Sequence, residues 1–448
     1  MLPTKRDNNQ LGFYSTFEEQ LSRKHPLYIL AHEVQWDRFD IAFRKLYCED
    51  NGRPAKPIRL MVSLLILKHL RNLSDESVVE QWAENAYYQY FSGEKMFACG
   101  VPCEASELVH FRNRIGPEGV ELILAESIRI NGDDSRQDKI IVDTTVQEKN
   151  ITYPTDAKLH KKIIKKCKAI ALKEGLPLRQ SYVRILKKLA IHQRFRNHPK
   201  NKGKARKADK KVKTIAGRLV RELERNLEAD SLYQNDLLLF NKVLAQKKND
   251  KNKIYSLHEP NVSCISKGKE HKKYEFGNKV SIAVTQDTGV IVGALSFEGN
   301  PFDGHTLEAA LAQHERLTQQ RLKEVTVDRG YRGRSQINEI QINIPKPFND
   351  KKLTNYQQSK LKKQFKRRAS IEPKIGHLKA DHRLVTNLYK GIKGDQINIL
   401  LAAAAMNFKR MMNLWKGSFM SNLQNELAFL IVLLNISCGK TLAPKLAF

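Results

Sequence analysis

The chain has 448 residues, of which 41% are hydrophobic, and its 78 lysines and arginines exceed its 48 acidic residues by 30 charges. This length is more than one ordinary hydrophobic core needs, and such a charge surplus usually serves to bind a polyanion such as DNA or RNA. Six irregularly spaced cysteines exclude a disulfide scaffold, and the longest apolar run, at residues 427–434, is too short to cross a bilayer. With no secretory signal at the N-terminus, we expect a cytoplasmic protein that binds no membrane.

Residues 1–132 are predicted to form an all-α domain. Apolar residues recur at helical spacing between residues 57 and 93, Ser74 is a candidate N-cap, and residues 106–116 predict a second helix. This domain could bind DNA ends, mediate dimerisation, or do both, although packing alone explains most of its pattern.

Strand patterns begin at residue 139 and alternate with helices. KIIVDTTVQ is a β-rich run in which KIIV leads into Asp143, and two β runs flank the turn QDTG at residues 286–289. EVTV leads into Asp328, and EIQINIPKP predicts a further strand. Residues 305–317 and 395–415 predict helices, and Asp303 before the first of these is interpreted as a turn residue. The alternation predicts an α/β fold.

A strongly basic segment interrupts this pattern. Residues 151–260 contain 29 lysines and arginines but only 10 acidic residues. Apolar residues at helical spacing predict amphipathic basic helices over about 156–256, with residues 196–211 as a polar loop. Two interpretations stay open, a solvated helical hairpin or a DNA clamp. We favour the clamp, with four lysines of its first helix as DNA contacts: Lys161, Lys162, Lys165 and Lys166.

Three separated carboxylates are the candidates for chemistry. Asp143 and Asp328 each follow a predicted buried strand, where an unpaired carboxylate is costly, so we expect both near strand ends that face a cation. In FKRRASIEPKIGHLK, residues 365–379, four side chains have the spacing of one helical face: Phe365, Arg368, Glu372 and Lys379. Pro373 predicts a kink or a helix restart beside Glu372. Taken singly, each acid is more typical of a turn or a surface ion pair.

Taken together, IVDTT, VTVDRGYRG and FKRRASIEPKIGHLK resemble the three motifs of DDE transposases of bacterial insertion sequences. The third motif keeps the Tyr–Arg–Glu–Lys spacing of many members, with Phe365 in place of the tyrosine. The resemblance covers most of the chain. It implies an RNase H-like mixed sheet flanked by helices, interrupted by the basic insertion, within residues 133–415. Residues 416–448 would be an apolar tail, interpreted as a packed helix, a dimer contact or a decayed end.

The resemblance also implies a function. Asp143, Asp328 and Glu372 would be catalytic and hold two Mg²⁺ ions, with Mn²⁺ as a substitute, while Arg368, Lys379 and Tyr331 would contact DNA. The partners would be double-stranded DNA, both terminal inverted repeats and target, and a second copy of the chain as a homodimer on DNA at the nucleoid. The reaction would be strand cleavage at transposon ends followed by strand transfer. Two alternatives remain: a nuclease without strand transfer, and an inactive copy that only binds nucleic acid.

Overall fold

The computed structural model describes residues 15–48, 52–228, 230–247, 249–266, 272–333, 335–345 and 354–437, with side chains up to residue 417. The helices, in chain order, are α1 Phe17–Gln20, α2 Pro26–Glu33, α3 Trp36–Arg44, α4 Ile58–Leu70, α5 Asp75–Glu84, α6 Ala86–Phe91, α7 Ala105–Ile130, α8 Asp156–Lys173, α9 Val183–Gln193, α10 Pro199–Asn226, α11 Gln234–Ala245, α12 Asp303–Thr318, α13 Asn355–Ala369, α14 Ile371–Asp381 and α15 Gly391–Ser437. The strands are β1 Lys139–Glu148, β2 Ser263–Ser266, β3 Tyr274–Thr285, β4 Ile291–Phe297, β5 Glu324–Thr326, β6 Gln336–Ile337 and β7 Ile340–Asn343.

The seven strands form one mixed sheet. Its order is β2-β3-β1-β5-β7-β6, with β4 paired to β3 beside β2. β1 lies inside the sheet, antiparallel to β3 and parallel to β5. The predicted α/β class, a mixed sheet flanked by helices, is therefore confirmed.

Each face of the sheet packs on different helices. Side chains alternate along β1, so Ile140 and Val142 join a core with Leu307 of α12. Ile141 faces the other way, into a core that contains Ile371 of α14 and Phe408 of α15. β1 is thus covered by helices on both faces, which explains why its first half is a continuous apolar run.

Among the described residues of the N-terminal part, 17–130, helices are the only regular secondary structure, and loops connect them. As predicted, Ser74 caps α5, accepting a hydrogen bond from the backbone N–H of Ser77 at 3.0 Å. Gly116 takes a left-handed conformation (φ 64°) before Pro117 and breaks α7 into two segments. α15 packs along α7 and α4, so the N-terminal helices share one hydrophobic core with the sheet.

Helices α8–α11 fill the connection between β1 and β2 and bury a separate core, which includes Ile163, Val212 and Phe240. The loop predicted at residues 196–211 is wrong from Pro199 onward, because α10 begins there. Ala205 and Ala208 continue the apolar stripe of Val212, and a proline is tolerated at the first helical position. The surrounding lysines make this segment resemble a polar loop, although the small apolar residues keep the helical spacing.

The last helix, α15, runs from Gly391 to Ser437 and so extends into the predicted tail. The rest of that tail, residues 438–448, lies outside the described residues. Among the described helices, none is long and apolar enough to cross a membrane. The domain boundaries at residues 132 and 415 stay predictions.

Candidate active site

Asp143 lies in the middle of β1. The expectation that it ends a strand is wrong, because β1 continues to Glu148 and pairs with β3 along this whole stretch. The predicted β-rich run KIIVDTTVQ is part of this one strand, so Asp143 lies inside the run and not at its end. The Asp143 side chain is only 13% exposed, and its Oδ1 accepts a hydrogen bond from the Thr144 backbone N–H at 2.7 Å.

Asp328 follows the neighbouring strand. β5 ends at Thr326, which is in parallel register with Ile141 of β1. Continuing that register by two residues places Asp328 beside Asp143. The Asp328 Oδ1 accepts a hydrogen bond from the Gly330 N–H at 2.8 Å, which begins the short 3₁₀ helix Arg329–Tyr331. The two aspartates are 185 residues apart in the chain, and the strands that lead to them, β1 and β5, are paired in parallel.

The third motif lies on two helices. α13 ends at Ala369 and α14 begins at Ile371, so the predicted helix restart beside Glu372 is confirmed, and the single continuous stripe from Phe365 to Lys379 is wrong. Pro373 supplies the reason. As the third residue of α14 it needs no N–H partner, whereas in a continuous helix its ring would clash with the Ala369 carbonyl.

Arg368 joins the motifs. Its Nη2 lies 3.4 Å from Asp143 Oδ2 and its Nη1 lies 3.1 Å from Glu372 Oε1. The Glu372 side chain is 59% exposed, but α14 itself is anchored through the buried residues Ile371 and Leu378. A single guanidinium therefore connects the carboxylate of β1 with the carboxylate of α14.

Tyr331 is inside the site. It is 2% exposed, and burial raises the pKa of its hydroxyl, as do the nearby negative charges of Asp303, Asp143 and Asp328. Thr306 acts in the opposite direction. The predicted DNA contact of Tyr331 is therefore corrected: its ring packs in the core against α12 and is not on an accessible surface.

Asp303 is a residue whose place the sequence interpretation missed. Instead of serving as a turn residue it is the first residue of α12, and its Oδ1 accepts hydrogen bonds from Lys279 Nζ at 2.9 Å and from Thr144 Oγ1 at 2.7 Å. A lysine inside the apolar run of β3 was the signal that could have revealed this pair, because a buried ammonium requires an anion.

Comparisons with known proteins identify the family. The model of a transposase domain (DUF772) matches residues 15–114, and the model of a transposase DDE domain matches residues 257–408. The chain belongs to the DDE transposases. The second match contains Asp328 and Glu372, whereas Asp143 and the basic insertion lie between the two matched segments.

The transposase also resembles the uncharacterized protein ORF8 in the nfe locus of Rhizobium meliloti. The two are 40% identical over 191 residues, which is 42% of this chain and 92% of that protein. No solved structure matches the chain significantly. Membership of the family implies an enzyme that acts on DNA and depends on divalent metal ions.

The donor chemistry of the site suits such ions, since carboxylate oxygens are what Mg²⁺ prefers. Arg368 shows that a positive group is favourable between Asp143 and Glu372. Among the side chains that the structure describes, no three acidic, histidine or cysteine residues are close enough together to hold a metal ion. Arg368 occupies the space between two of the three acids instead.

The lysines predicted to contact DNA differ in exposure and in their protein partners. Lys379 is half-buried on α14. On α8, Lys165 is exposed, whereas Lys162 donates to Thr152 and Lys166 pairs with Asp236 at 3.3 Å. The larger basic surface is on α10, whose first half is predicted as a loop. All of its cations are exposed, namely Lys200, Lys202, Lys204, Arg206, Lys207, Lys210, Lys211, Lys213, Arg218, Arg221 and Arg225.

Proposed function

We propose that this transposase cleaves DNA strands at the ends of its own mobile element and transfers them into target DNA. Asp143, Asp328 and Glu372 would be its catalytic carboxylates, in a sheet of RNase H-like order. The observation that carries the proposal is the contact of Arg368 with both Asp143 and Glu372, and β5, the strand before Asp328, pairs in parallel with the strand that contains Asp143.

The same three carboxylates would hold the divalent ions, Mg²⁺ or Mn²⁺. When bound, a pair of such ions activates the attacking water or 3′ hydroxyl and stabilises the charge that develops at the scissile phosphate. The support for this assignment is the oxygen donor set and the place that Arg368 takes between two of its members.

Arg368 would exchange its carboxylate partners for a DNA phosphate. Its Nε is buried and has no hydrogen-bond partner among the described residues, so the guanidinium still has a donor to offer. Guanidinium groups bind phosphate through two parallel hydrogen bonds, whereas Lys379 would act as a point charge farther along α14. Release of Arg368 would free the acids for the ions and bring a cation to the DNA backbone.

The basic insertion would bind the DNA that the site processes. α10 is 28 residues long, about 42 Å at the rise of an α-helix, and presents eleven cations along this length. Such a row suits the backbone of double-stranded DNA, whether at terminal inverted repeats or in the target. Because both ends of an element are processed together, we expect a homodimer on DNA, located at the nucleoid.

The test is a cleavage and joining assay with purified protein, the DNA ends of its own element, a target duplex and Mg²⁺. Asp143→Asn, Asp328→Asn and Glu372→Gln, tested singly, should each slow cleavage by roughly 1,000-fold or more, because each removes a ligand worth several kcal/mol in the transition state. DNA affinity should stay within about threefold of the wild type, since the insertion is intact.

Glu324→Gln is the matched control. Glu324 pairs with Lys139 at 3.4 Å, joining β5 to β1 like the catalytic segments but at the opposite end of these strands. This variant should cleave at the wild-type rate. Full cleavage by any of the three catalytic variants would remove that residue from the proposal. Nicked DNA without joined product would favour the nuclease.

A further inference from the structure

Lys279 and Asp303 form an ion pair on the α12 side of the sheet. The Lys279 Nζ lies 2.9 Å from Asp303 Oδ1 and also donates to the Pro301 carbonyl at 2.6 Å. The two side chains are 10% and 24% exposed, so both charges have given up much of their hydration. Such a pair is weak evidence for stability, because desolvation offsets most of its attraction. Its contacts with the proposed active site suggest another role.

Asp303 contacts the segment that carries Asp143. Thr144 donates its hydroxyl to Asp303 Oδ1 at 2.7 Å, while its backbone N–H donates to Asp143 Oδ1, also at 2.7 Å. Thr144 and Asp143 point to opposite faces of β1, so this one residue links the carboxylate on the α12 side with the carboxylate on the α14 side.

Asp303 also lies close to the turn that carries Asp328. A Cβ added to Gly330 would lie 2.8 Å from Asp303 Oδ2 and 2.9 Å from Asp328 Oδ1, so the glycine backbone fits closely between the two carboxylates. The next residue, Tyr331, has its hydroxyl buried near the same charges, without a hydrogen bond of regular geometry to any described residue. The Asp303 side chain, the Gly330 backbone and the Tyr331 ring are therefore tightly packed together on the α12 side.

We propose that Lys279 and Asp303 are positioning residues of the transposase. Asp303 would fix the segments that carry Asp143 and Asp328, and its pairing with Lys279 would set how much negative charge the pocket presents to divalent cations. This inference rests on the proposed function, since it concerns the same site. Lys279 contacts Asp303 directly and would act on the two catalytic segments through it.

The two members of the pair should shift metal affinity in opposite directions. Asp303→Asn removes a negative charge and leaves the Lys279 ammonium uncompensated, which weakens cation binding. Lys279→Gln leaves the Asp303 carboxylate uncompensated, which strengthens it. A pair that only stabilises the fold would give the same direction in both variants. Opposite signs therefore separate an electrostatic role from a structural one.

The experiment titrates the full-length protein with Mn²⁺ in the absence of DNA and follows free Mn²⁺ by electron paramagnetic resonance. The dissociation constant should rise about tenfold for Asp303→Asn and fall about threefold or more for Lys279→Gln, as expected for one unit charge a few ångströms away in a partly buried site. The double variant should return to within about threefold of the wild type, because both charges are gone. Cleavage should slow in both single variants, since both disturb the Asp143 and Asp328 segments.

Three further variants make the outcome decisive. Glu324→Gln, the control pair on the same strands, should leave Mn²⁺ affinity unchanged. Thr144→Val removes only the hydroxyl contact and should slow cleavage while Mn²⁺ affinity stays within about threefold, which tests the positioning role if Asp303→Asn fails to fold. Asp143→Asn should weaken Mn²⁺ binding, and if it does not, the proposed active site itself is wrong. If Asp143→Asn does weaken binding, then a shift of Asp303→Asn and Lys279→Gln in the same direction, or no shift in either, overturns this inference alone.

Discussion

The N-terminal helices and the basic insertion are both helical additions to the sheet, but they are attached differently. The N-terminal helices pack on α15 and share one core with a face of the sheet. The insertion buries its own core, and its two ends meet where Asp156 pairs with Lys253 at 3.1 Å. We infer that the N-terminal helices are part of the catalytic unit, whereas the insertion is a separate packing unit with an exposed basic surface.

Two phenylalanines of equal burial offer the strongest test of this comparison. Phe408 of α15 belongs to the shared core and Phe240 of α11 to the insertion core, and each is 0% exposed. Truncation to alanine should cost about 3–5 kcal/mol at either site. Phe408→Ala should accelerate amide hydrogen exchange in both the N-terminal helices and the sheet. Phe240→Ala should accelerate it only in residues 156–256, and faster exchange in β3 would contradict the separation.

A buried histidine predicts a second, smaller change in stability, which depends on pH. His69 of α4 lies 3.3 Å from Asn398 of α15, and burial holds its pKa well below the ordinary value. The folded protein keeps this ring neutral while the unfolded chain takes up a proton below about pH 6.5. The free energy of unfolding should therefore fall as pH drops below 6.5, by up to about 1.4 kcal/mol per pH unit for this group.

His69→Gln should reduce that slope in urea unfolding curves measured between pH 7 and pH 5. Since His69 lies where α4 meets α15, the acid-sensitive step should expose the N-terminal helices and the sheet together. Loss of the insertion helices first would show that this junction is not the weak point.

Charge substitutions in the insertion should have the smallest effect on the free energy of unfolding and a large effect on DNA affinity. Changing Lys204, Lys207, Lys210 and Lys211 of α10 to glutamine should alter the free energy of unfolding by no more than about 0.5 kcal/mol. The slope of log affinity for duplex DNA against log salt should become shallower by about 0.9 for each phosphate that the protein no longer neutralises.

The matched set on α8 is Lys161, Lys162, Lys165 and Lys166, which the sequence predicted as DNA contacts. Because Lys162 and Lys166 already have protein partners, we expect a smaller change in slope than for α10. Equal slopes for the wild type and both sets would show that the insertion does not bind DNA through these faces.

The sequence predicted the parts of the site that local patterns encode. β runs before Asp143 and Asp328, the turn between β3 and β4, and the helix restart near Pro373 all depend on neighbouring residues. The identity of Asp303 as a buried partner of Lys279 depends on two segments 24 residues apart, and no local pattern carries it. The exclusion of Tyr331 from the surface likewise depends on α12, which covers it.

Two of the predicted boundaries are wrong. Lysines around Ala205 and Ala208 concealed the start of α10, although these alanines are in phase with Val212. Asp143 is predicted near the end of its strand, whereas β1 continues to Glu148, because residues 144–148 pair with β3, more than a hundred residues away in the chain. Both corrections change where functional residues lie. The first adds a row of exposed cations on α10, and the second puts Asp143 in the middle of β1.

The break at Ser370 gives the two halves of the third motif different freedom. The buried side chains of Ile371 and Leu378 anchor α14 in the core, so the backbone that carries Glu372 is held in place. Every residue of the fifteen-residue α13 is at least partly exposed, and Arg368 is its link to the two acids. A DNA backbone that takes over the Arg368 guanidinium would therefore compete with its ion pairs to Asp143 and Glu372, while α14 stays anchored in the core.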